Sequence, residues 1–253
     1  MEVSLGLVIN GSKVIIDHNV KEHLITTVHG NPKRYQVQNT TGTLDVFSIF
    51  TRLKQTSQQR RERDSRRIGD NCPLIYALKG KDQLTTGYQS IRELLINGRS
   101  IVANNFQPLA NTILIPIPST HSIVGHLTHE LSTLLNLSIN DNLLEKASMQ
   151  SALADLDAAI NANQNYTVKK ELKNARARIA KNEAFSLKDV PTRCREVIRP
   201  IVASPGIAQS ALQSVVLVDD LVATGTSLIS AKNILQAQHP SLHCSAVTLF
   251  SNV

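Results

Sequence analysis

The chain has 253 residues, enough to bury a sizeable core and to form one large domain or two unequal ones. Its 42% hydrophobic and 19% charged residues are typical of a soluble globular protein. Aromatic residues make up only 4% and Trp is absent, so stacking surfaces for single-stranded nucleic acid are not indicated.

The sequence shows no pattern typical of a membrane span, a signal peptide or a disulfide framework. No apolar run approaches the roughly 18 residues of a membrane span, and the start "MEVSLGLVING" lacks the pattern of a signal peptide. The three cysteines, Cys72, Cys194 and Cys244, form neither a zinc-type pair nor an even disulfide framework. We therefore expect a cytoplasmic protein that does not associate with membranes.

Residues 1–50 are rich in strand-forming residues. Asn10-Gly11 lies between two β-rich runs and predicts a hairpin. A second hairpin is predicted around Gly30-Asn31-Pro32. We interpret residues 1–50 as a small β module.

Residues 51–71 form a predicted basic linker. The segment from Thr51 to Asp70 contains seven Lys or Arg residues and three acidic residues, so it supplies +4 of the net charge of +7. A solvated linker is one interpretation. The other is a surface for nucleic acid, carried by Arg60, Arg61, Arg66 and Arg67.

Residues 72–253 alternate helical and strand patterns, which predicts an α/β domain with a largely parallel sheet. A helical insertion is expected at about 150–182. Its second half, "NYTVKKELKNARARIAK", has the spacing of an amphipathic helix with basic residues opposite the apolar side. Core packing explains the apolar side, and a polyanion is the alternative partner for the basic side.

The stretch "VVLVDDLVATGTSL", Val215 to Leu228, ends an apolar strand on Asp219-Asp220. Ionised carboxylates only accept hydrogen bonds, so two of them suit a sugar diol or a metal ion. In open α/β sheets, ligands bind outside the carboxyl ends of the strands. The alternative is that one aspartate caps the turn and the other is simply exposed.

The following loop, Thr224-Gly225-Thr226-Ser227, leads into a predicted helix and suits a phosphate group. Its hydroxyls can add donors or cap the helix. The loop has neither the Walker A pattern nor the dinucleotide pattern. A receiver domain is excluded because too few residues follow Asp220. A sugar-phosphate site remains.

"VVLVDDLVATGTS" resembles the signature of type I phosphoribosyltransferases: four apolar residues, two acids, two apolar residues and a Thr/Gly loop. The family commonly has Thr-Thr-Gly-x-Thr, and this chain has Ala-Thr-Gly-Thr-Ser at 223–227. Four further segments resemble the ComF/GntX-like branch and occur in its order: "LIYALKGKDQ", "ILIPIPST", "LEKASMQSALADL" and "KNEAFSL". Together the similarities span roughly residues 73–253.

The resemblance implies a phosphoribosyltransferase-like sheet flanked by helices, with phosphoribosyl diphosphate or a nucleotide as ligand and Mg²⁺ as cofactor. Asp219 and Asp220 would be the catalytic carboxylates that hold the ribose hydroxyls. The ligand would hold most of the Mg²⁺ coordination, with these two aspartates as the candidate protein ligands. The remaining substrate-binding candidates are Ala223, Thr224, Gly225, Thr226 and Ser227 for the 5′-phosphate, Ser119 and Thr120 for the diphosphate, and Lys79 for an added charge.

The chain also departs from that branch. The Cys-rich zinc module is absent, and the arginines that usually follow the proline-rich strand end are replaced by His121, His126 and His129. Neutral histidines are poor diphosphate clamps, and packing or surface roles suit them better. Two functions stay open: transfer of phosphoribosyl to a nitrogen acceptor, or a weakly active ligand-sensing or nucleic-acid-associated protein of a DNA-uptake or phage-defence module. A partner protein and a homo-oligomer are also open.

Overall fold

The computed structural model describes residues 6–17, 19–20, 22–53, 72–182, 185–187, 190–207 and 212–252. The strands are β1 Gly6–Asn10, β2 Lys13–Asp17, β3 Lys33–Asn39, β4 Gly42–Phe50, β5 Thr85–Thr86, β6 Thr112–Pro116, β7 Ser138–Ile139, β8 Leu144–Lys146, β9 Ile201–Ala203, β10 Ser214–Leu221 and β11 His243–Phe250. The helices are α1 Pro73–Leu78, α2 Tyr88–Asn105, α3 Ile123–Leu135, α4 Met149–Ala162, α5 Tyr166–Ile179 and α6 Thr226–Gln238, with a 3₁₀ helix at Thr192–Val197.

The protein is built on a six-stranded mixed sheet in the order β3-β4-β11-β10-β6-β7. All neighbouring strands are parallel except β3 and β4, which form an antiparallel hairpin. Parallel strands need cover on both faces, and β10 accordingly has an unbroken buried run, Val215–Val218. The fold is therefore α/β, as the alternating sequence pattern predicted.

Helices cover both faces of this sheet. On one face, α1, α2 and α3 pack through residues such as Leu74, Ile101 and Leu131. On the other, α6 packs through residues such as Ile229 and Leu235. Within the described part of the chain, no helix combines the length and the apolar character needed to span a bilayer.

The strands of residues 1–50 are divided between two sheets, so they do not form one separate module. The predicted hairpin at Asn10-Gly11 is present, and Asn10 pairs with Lys13. That hairpin extends to β5 through the pairing of β2 with Thr85-Thr86. In contrast, β4 is buried on both faces over Val46–Phe50, which requires an interior position, and it pairs in parallel with β11.

The second hairpin is displaced from its predicted position. Strands β3 and β4 turn at Thr40-Thr41, where Asn39 Oδ1 accepts hydrogen bonds from the Thr41 amide at 2.9 Å and the Thr41 hydroxyl at 2.8 Å. Asn31 instead organises the preceding loop: its Nδ2 donates to the carbonyl of Thr27 at 2.7 Å and its Oδ1 accepts from the amide of Thr51 at 2.7 Å. Local side-chain bonds of this kind compete with strand pairing.

In the region where a helical insertion is predicted, the chain forms α4 and α5, which pack against each other and against the following 3₁₀ helix. These elements share a small apolar cluster of their own, which includes Leu156, Leu172 and Cys194. The insertion joins the α/β domain through β8 and β9, a two-stranded antiparallel sheet in which Lys146 lies opposite Ile201. We refer to this sheet as the stalk.

Candidate functional site

The two halves of the predicted site begin side by side. Strands β10 and β6 are neighbours with Val218 opposite Pro116, and the amide of Ile117 donates to the carbonyl of Val218 at 2.8 Å. The aspartates that follow Val218 and the Ser119-Thr120 turn that follows Ile117 therefore emerge from the same edge of the sheet. This edge is where open α/β sheets bind ligands.

Asp220 is buried and paired with a lysine. Its side chain is 9% exposed, and its Oδ2 lies 2.5 Å from the Nζ of Lys79, whose side chain is 13% exposed. Lys79 is the C-cap residue of α1. The structure thus places the predicted substrate-binding lysine against one of the predicted catalytic carboxylates. Asp220 is not an exposed turn residue.

Asp219 is half-buried, and its Oδ1 accepts a hydrogen bond from the Asp220 amide at 2.8 Å. Burial, followed by the nearby charge of Asp220, raises the pKa of Asp219 to about 7. This carboxyl therefore takes up a proton more readily than an exposed aspartate does. The ionised form accepts two hydroxyl hydrogen bonds, and the neutral form can donate one.

The loop after β10 is shaped by Gly225. Its φ of +74° is in the left-handed region, and a Cβ built on it would lie 2.7 Å from the Cβ of Val37 on β3. Glycine is needed here both for the conformation and for the close approach. The hydroxyls of Thr224 and Thr226 lie 2.9 Å apart, Thr226 is buried, and Ala223 is exposed at the outside of the loop.

Gly225 is also the N-cap of α6, and no side chain caps this helix. The first amides of a helix have no acceptor within it, and the helix dipole favours an anion at this end. Thr226 and Ser227 therefore add hydroxyls beside open backbone donors at the start of a 13-residue helix. The arrangement has the donors that a phosphate group requires.

Ser119 and Thr120 are exposed and line a cavity of about 420 Å³ at the start of α3. The Ser119 hydroxyl accepts from the amide of His121 at 3.2 Å. Asp141 forms part of the same wall. Its carboxylate would repel a diphosphate unless a cation lies between them.

A further lysine, Lys146, lies close enough to Asp219 for their charges to interact, with Lys81 beside it, and sequence reasoning missed both lysines. Lys146 is at the end of β8 in the stalk, and its pKa is lowered by burial and by the charge of Lys79, with a smaller contribution from Lys81. The charge of Asp219 acts in the opposite direction. Lys79, Lys81 and Lys146 are therefore close enough to interact, and we call them the lysine group. The segment "LEKASMQ" is part of the resemblance to the ComF/GntX-like branch. The position of Lys146 near the site depends on the pairing of β8 with β9, which no local pattern reveals.

The two aspartates could supply some of the oxygen ligands of a Mg²⁺ ion, but not all of them. Mg²⁺ prefers oxygen ligands and is usually held by one or two carboxylates together with substrate phosphates. Lys79 already neutralises Asp220, which leaves Asp219 as the more available protein ligand. Among the described residues, no cluster of three or more His, Cys, Asp or Glu could hold a metal without help from a ligand.

Some predicted residues fall outside the described ranges. They include Arg60, Arg61, Arg66 and Arg67 of the basic linker, and also Ala184 of the "KNEAFSL" segment. His126 and His129 lie on exposed parts of α3 and line a different cavity from that of Ser119.

Comparison of the chain with protein-family models, with curated proteins and with solved structures gave no match. The fold class and the geometry of the site are therefore the basis for assigning a function.

Proposed function

We propose that this chain is a phosphoribosyltransferase-like protein that binds phosphoribosyl diphosphate or a nucleotide at the carboxyl edge of β10. The observation that carries the proposal is that two carboxylates at the end of β10 are followed closely in the chain by a glycine loop at the N-terminus of α6. Carboxylates suit the ribose hydroxyls, and the amides and hydroxyls of the loop suit the 5′-phosphate.

The lysine group strengthens the assignment to an anionic ligand. Among the described residues, Lys81 and Lys146 have no ion-pair partner as close as the one that Lys79 has in Asp220. We propose that they take over part of the role of the arginines that the ComF/GntX-like branch would have. A diphosphate carries several negative charges, and lysines act on them as point charges.

In a transfer reaction, the bond from the ribose C1 to diphosphate breaks and positive charge develops on the ribose ring. Asp219 and Asp220 would stabilise that charge and orient the sugar, and the loop would fix the 5′-phosphate. Bound Mg²⁺ would stabilise the departing diphosphate. Apart from Asp219, whose pKa is raised by burial, no described residue at the site stands out as a general base.

Thermal unfolding tests this proposal. We expect Mg²⁺ with phosphoribosyl diphosphate to raise the Tm of the wild type. Ligand at about one hundred times its Kd stabilises by about 2.7 kcal/mol. For a chain of this size this corresponds to a Tm rise of about 5–10 °C.

Three variants make the assignment specific. Asp219→Asn/Asp220→Asn should abolish the ligand-induced shift, and Asp219→Asn alone should reduce it while leaving the Lys79 ion pair intact. Asp45→Asn removes an exposed carboxylate of β4 and should leave the shift unchanged. The absence of a shift in the wild type would refute the ligand. Diphosphate release with candidate nitrogen acceptors then distinguishes a transferase from a protein that only senses the ligand.

Nucleic-acid association is a second candidate, favoured by the exposed side of α5. Leu172, Ala175 and Ile179 are buried in the insertion. Exposed cations lie on the outer side of the helix or just after it: Lys170, Lys173, Arg178 and Lys181. The insertion therefore presents a basic surface that its own packing does not use.

Salt dependence of oligonucleotide binding tests this second candidate. Each phosphate contact contributes about 0.7–0.9 to the slope of log K against log salt. Lys170→Gln/Lys173→Gln should therefore make the slope shallower by about 1.5. Lys13→Gln/Arg92→Gln neutralises two exposed cations elsewhere and is the matched control. Fluorescence anisotropy measures the slope, and equal slopes for the two variants would contradict an interface on α5.

A further inference from the structure

A cavity of about 510 Å³ lies between α2 and α3 on one face of the central sheet. Its walls are mainly leucine, isoleucine and valine side chains, and its floor includes Phe50 and Leu249. Gly98 of α2 belongs to the wall, and a Cβ at that position would make only ordinary contacts, with Phe50 at 3.5 Å and Ile49 at 3.6 Å. A glycine at this point in a helix leaves space that a larger residue would fill.

One end of this cavity adjoins the candidate site. Leu78 in its wall directly precedes Lys79, the partner of Asp220. Ser122 and Ile123 in its wall directly follow the turn that contains Ser119. The cavity therefore begins where two elements of the site end.

The size and lining of the cavity are those of a small-molecule pocket. Such pockets have volumes of about 300–1,000 Å³ and a mostly apolar lining with a few polar groups. In this cavity the polar groups lie at the edge of the lining. Arg99 of α2 donates to Glu130 of α3 at 2.7 Å and links the two helices across the cavity, with His126 and His129 nearby.

We propose that this cavity holds the apolar, ring-containing part of the molecule that accepts the phosphoribosyl group. This inference rests on the proposed function and deepens it by naming the class of acceptor. An apolar ring would bury its surface against the partly exposed lining residues Leu95, Leu127 and Leu134, and a nitrogen at its edge would point to the site. Binding energy from the ring would then position the nitrogen for attack at C1.

The neutral fluorescent probe N-phenyl-1-naphthylamine tests the pocket. We expect saturable binding to the wild type, seen as a rise in probe fluorescence. Leu95→Trp places a large side chain at the mouth of the cavity and should weaken binding at least about tenfold, because it takes up the space that the probe needs. Ile96→Trp is the matched control, since Ile96 is the next residue of α2 and does not line the cavity.

Both positions are tolerant of a larger residue, because Leu95 is 43% exposed and Ile96 is 54% exposed. Absence of probe binding, or equal binding by the two variants, would overturn the pocket. So would sedimentation data in which Leu95→Trp converts a wild-type dimer to a monomer, since the surface would then be a subunit interface.

The acceptor role has its own measurement. Mg²⁺ with phosphoribosyl diphosphate should change the Kd of the probe in the wild type, because the two ligands would occupy adjoining sites. An unchanged Kd, in a sample whose Tm does shift with phosphoribosyl diphosphate, would refute the acceptor role alone. A missing Tm shift together with intact probe binding would refute the proposed function and leave an apolar pocket of another purpose.

Discussion

Replacement of Lys79 by Met is expected to destabilise the protein by about 3 kcal/mol, one of the two largest effects that we predict. The reason is the burial of its partner, since the side chain of Asp220 is only 9% exposed and would lose its counter-ion. A buried carboxylate without a partner must either remain charged in a poorly solvated position or take up a proton. Urea unfolding followed by circular dichroism measures the loss.

A double variant and a surface pair provide the comparison. Lys79→Met/Asp220→Asn removes both charges, so we expect it to lose less stability than Lys79→Met alone. Arg99→Met breaks an ion pair whose side chains are 57% and 37% exposed, and it should cost no more than about 1 kcal/mol. If Lys79→Met costs no more than Arg99→Met, the pair at the site does not stabilise the fold.

Gly225→Ala is the other large effect, and we expect it to destabilise by about 2–5 kcal/mol. Two costs combine: the left-handed conformation of a non-glycine residue, about 1–2 kcal/mol, and overpacking against Val37, about 1–3 kcal/mol. A new Cβ would lie 2.7 Å from the Cβ of Val37, so no rotation of the Val37 side chain relieves the contact. The same substitution should reduce the Tm shift caused by phosphoribosyl diphosphate, because the loop must move away from β3.

Gly11→Ala separates the two costs. Gly11 also has a positive φ, +60°, but a Cβ there would meet nothing within 4 Å. Its substitution should therefore show the conformational cost alone. If Gly225→Ala is no worse than Gly11→Ala in urea unfolding, the contact with Val37 is not a constraint on the loop.

The parts of the fold that could be predicted from the sequence are those with a strong local pattern. The apolar run before Asp219 predicts β10, and the spacing of Ile123 to Leu135 predicts α3. The position of β4 in the middle of the sheet could not be predicted. Its placement depends on pairing with β11, which is about two hundred residues further along the chain, and no local pattern reports such a contact.

The candidate site shows the same division. Asp219, Asp220 and the Gly225 loop lie within one short stretch, so their order alone indicates a sugar-phosphate ligand. The ion pair of Lys79 with Asp220 and the approach of Lys146 depend on the packing of α1 and of the stalk. Lysines occur throughout the chain, so the sequence alone does not show which of them lie at the site.

The stalk has a consequence for how this protein could change its selectivity. The segment from Ala147 to Pro200 leaves and re-enters the α/β domain at one point, where the amide of Ala147 donates to the carbonyl of Pro200 at 3.0 Å. The entropy of closing a loop grows only with the logarithm of its length. A cassette of a different length can therefore be closed at this point at little entropic cost, although the present one also accepts a hydrogen bond at Glu196 from the Thr40 hydroxyl of the β3–β4 turn. Since Lys146 is the last residue of β8 before that cassette and its charge acts on Asp219, each exchange would alter the surroundings of one charge at the site.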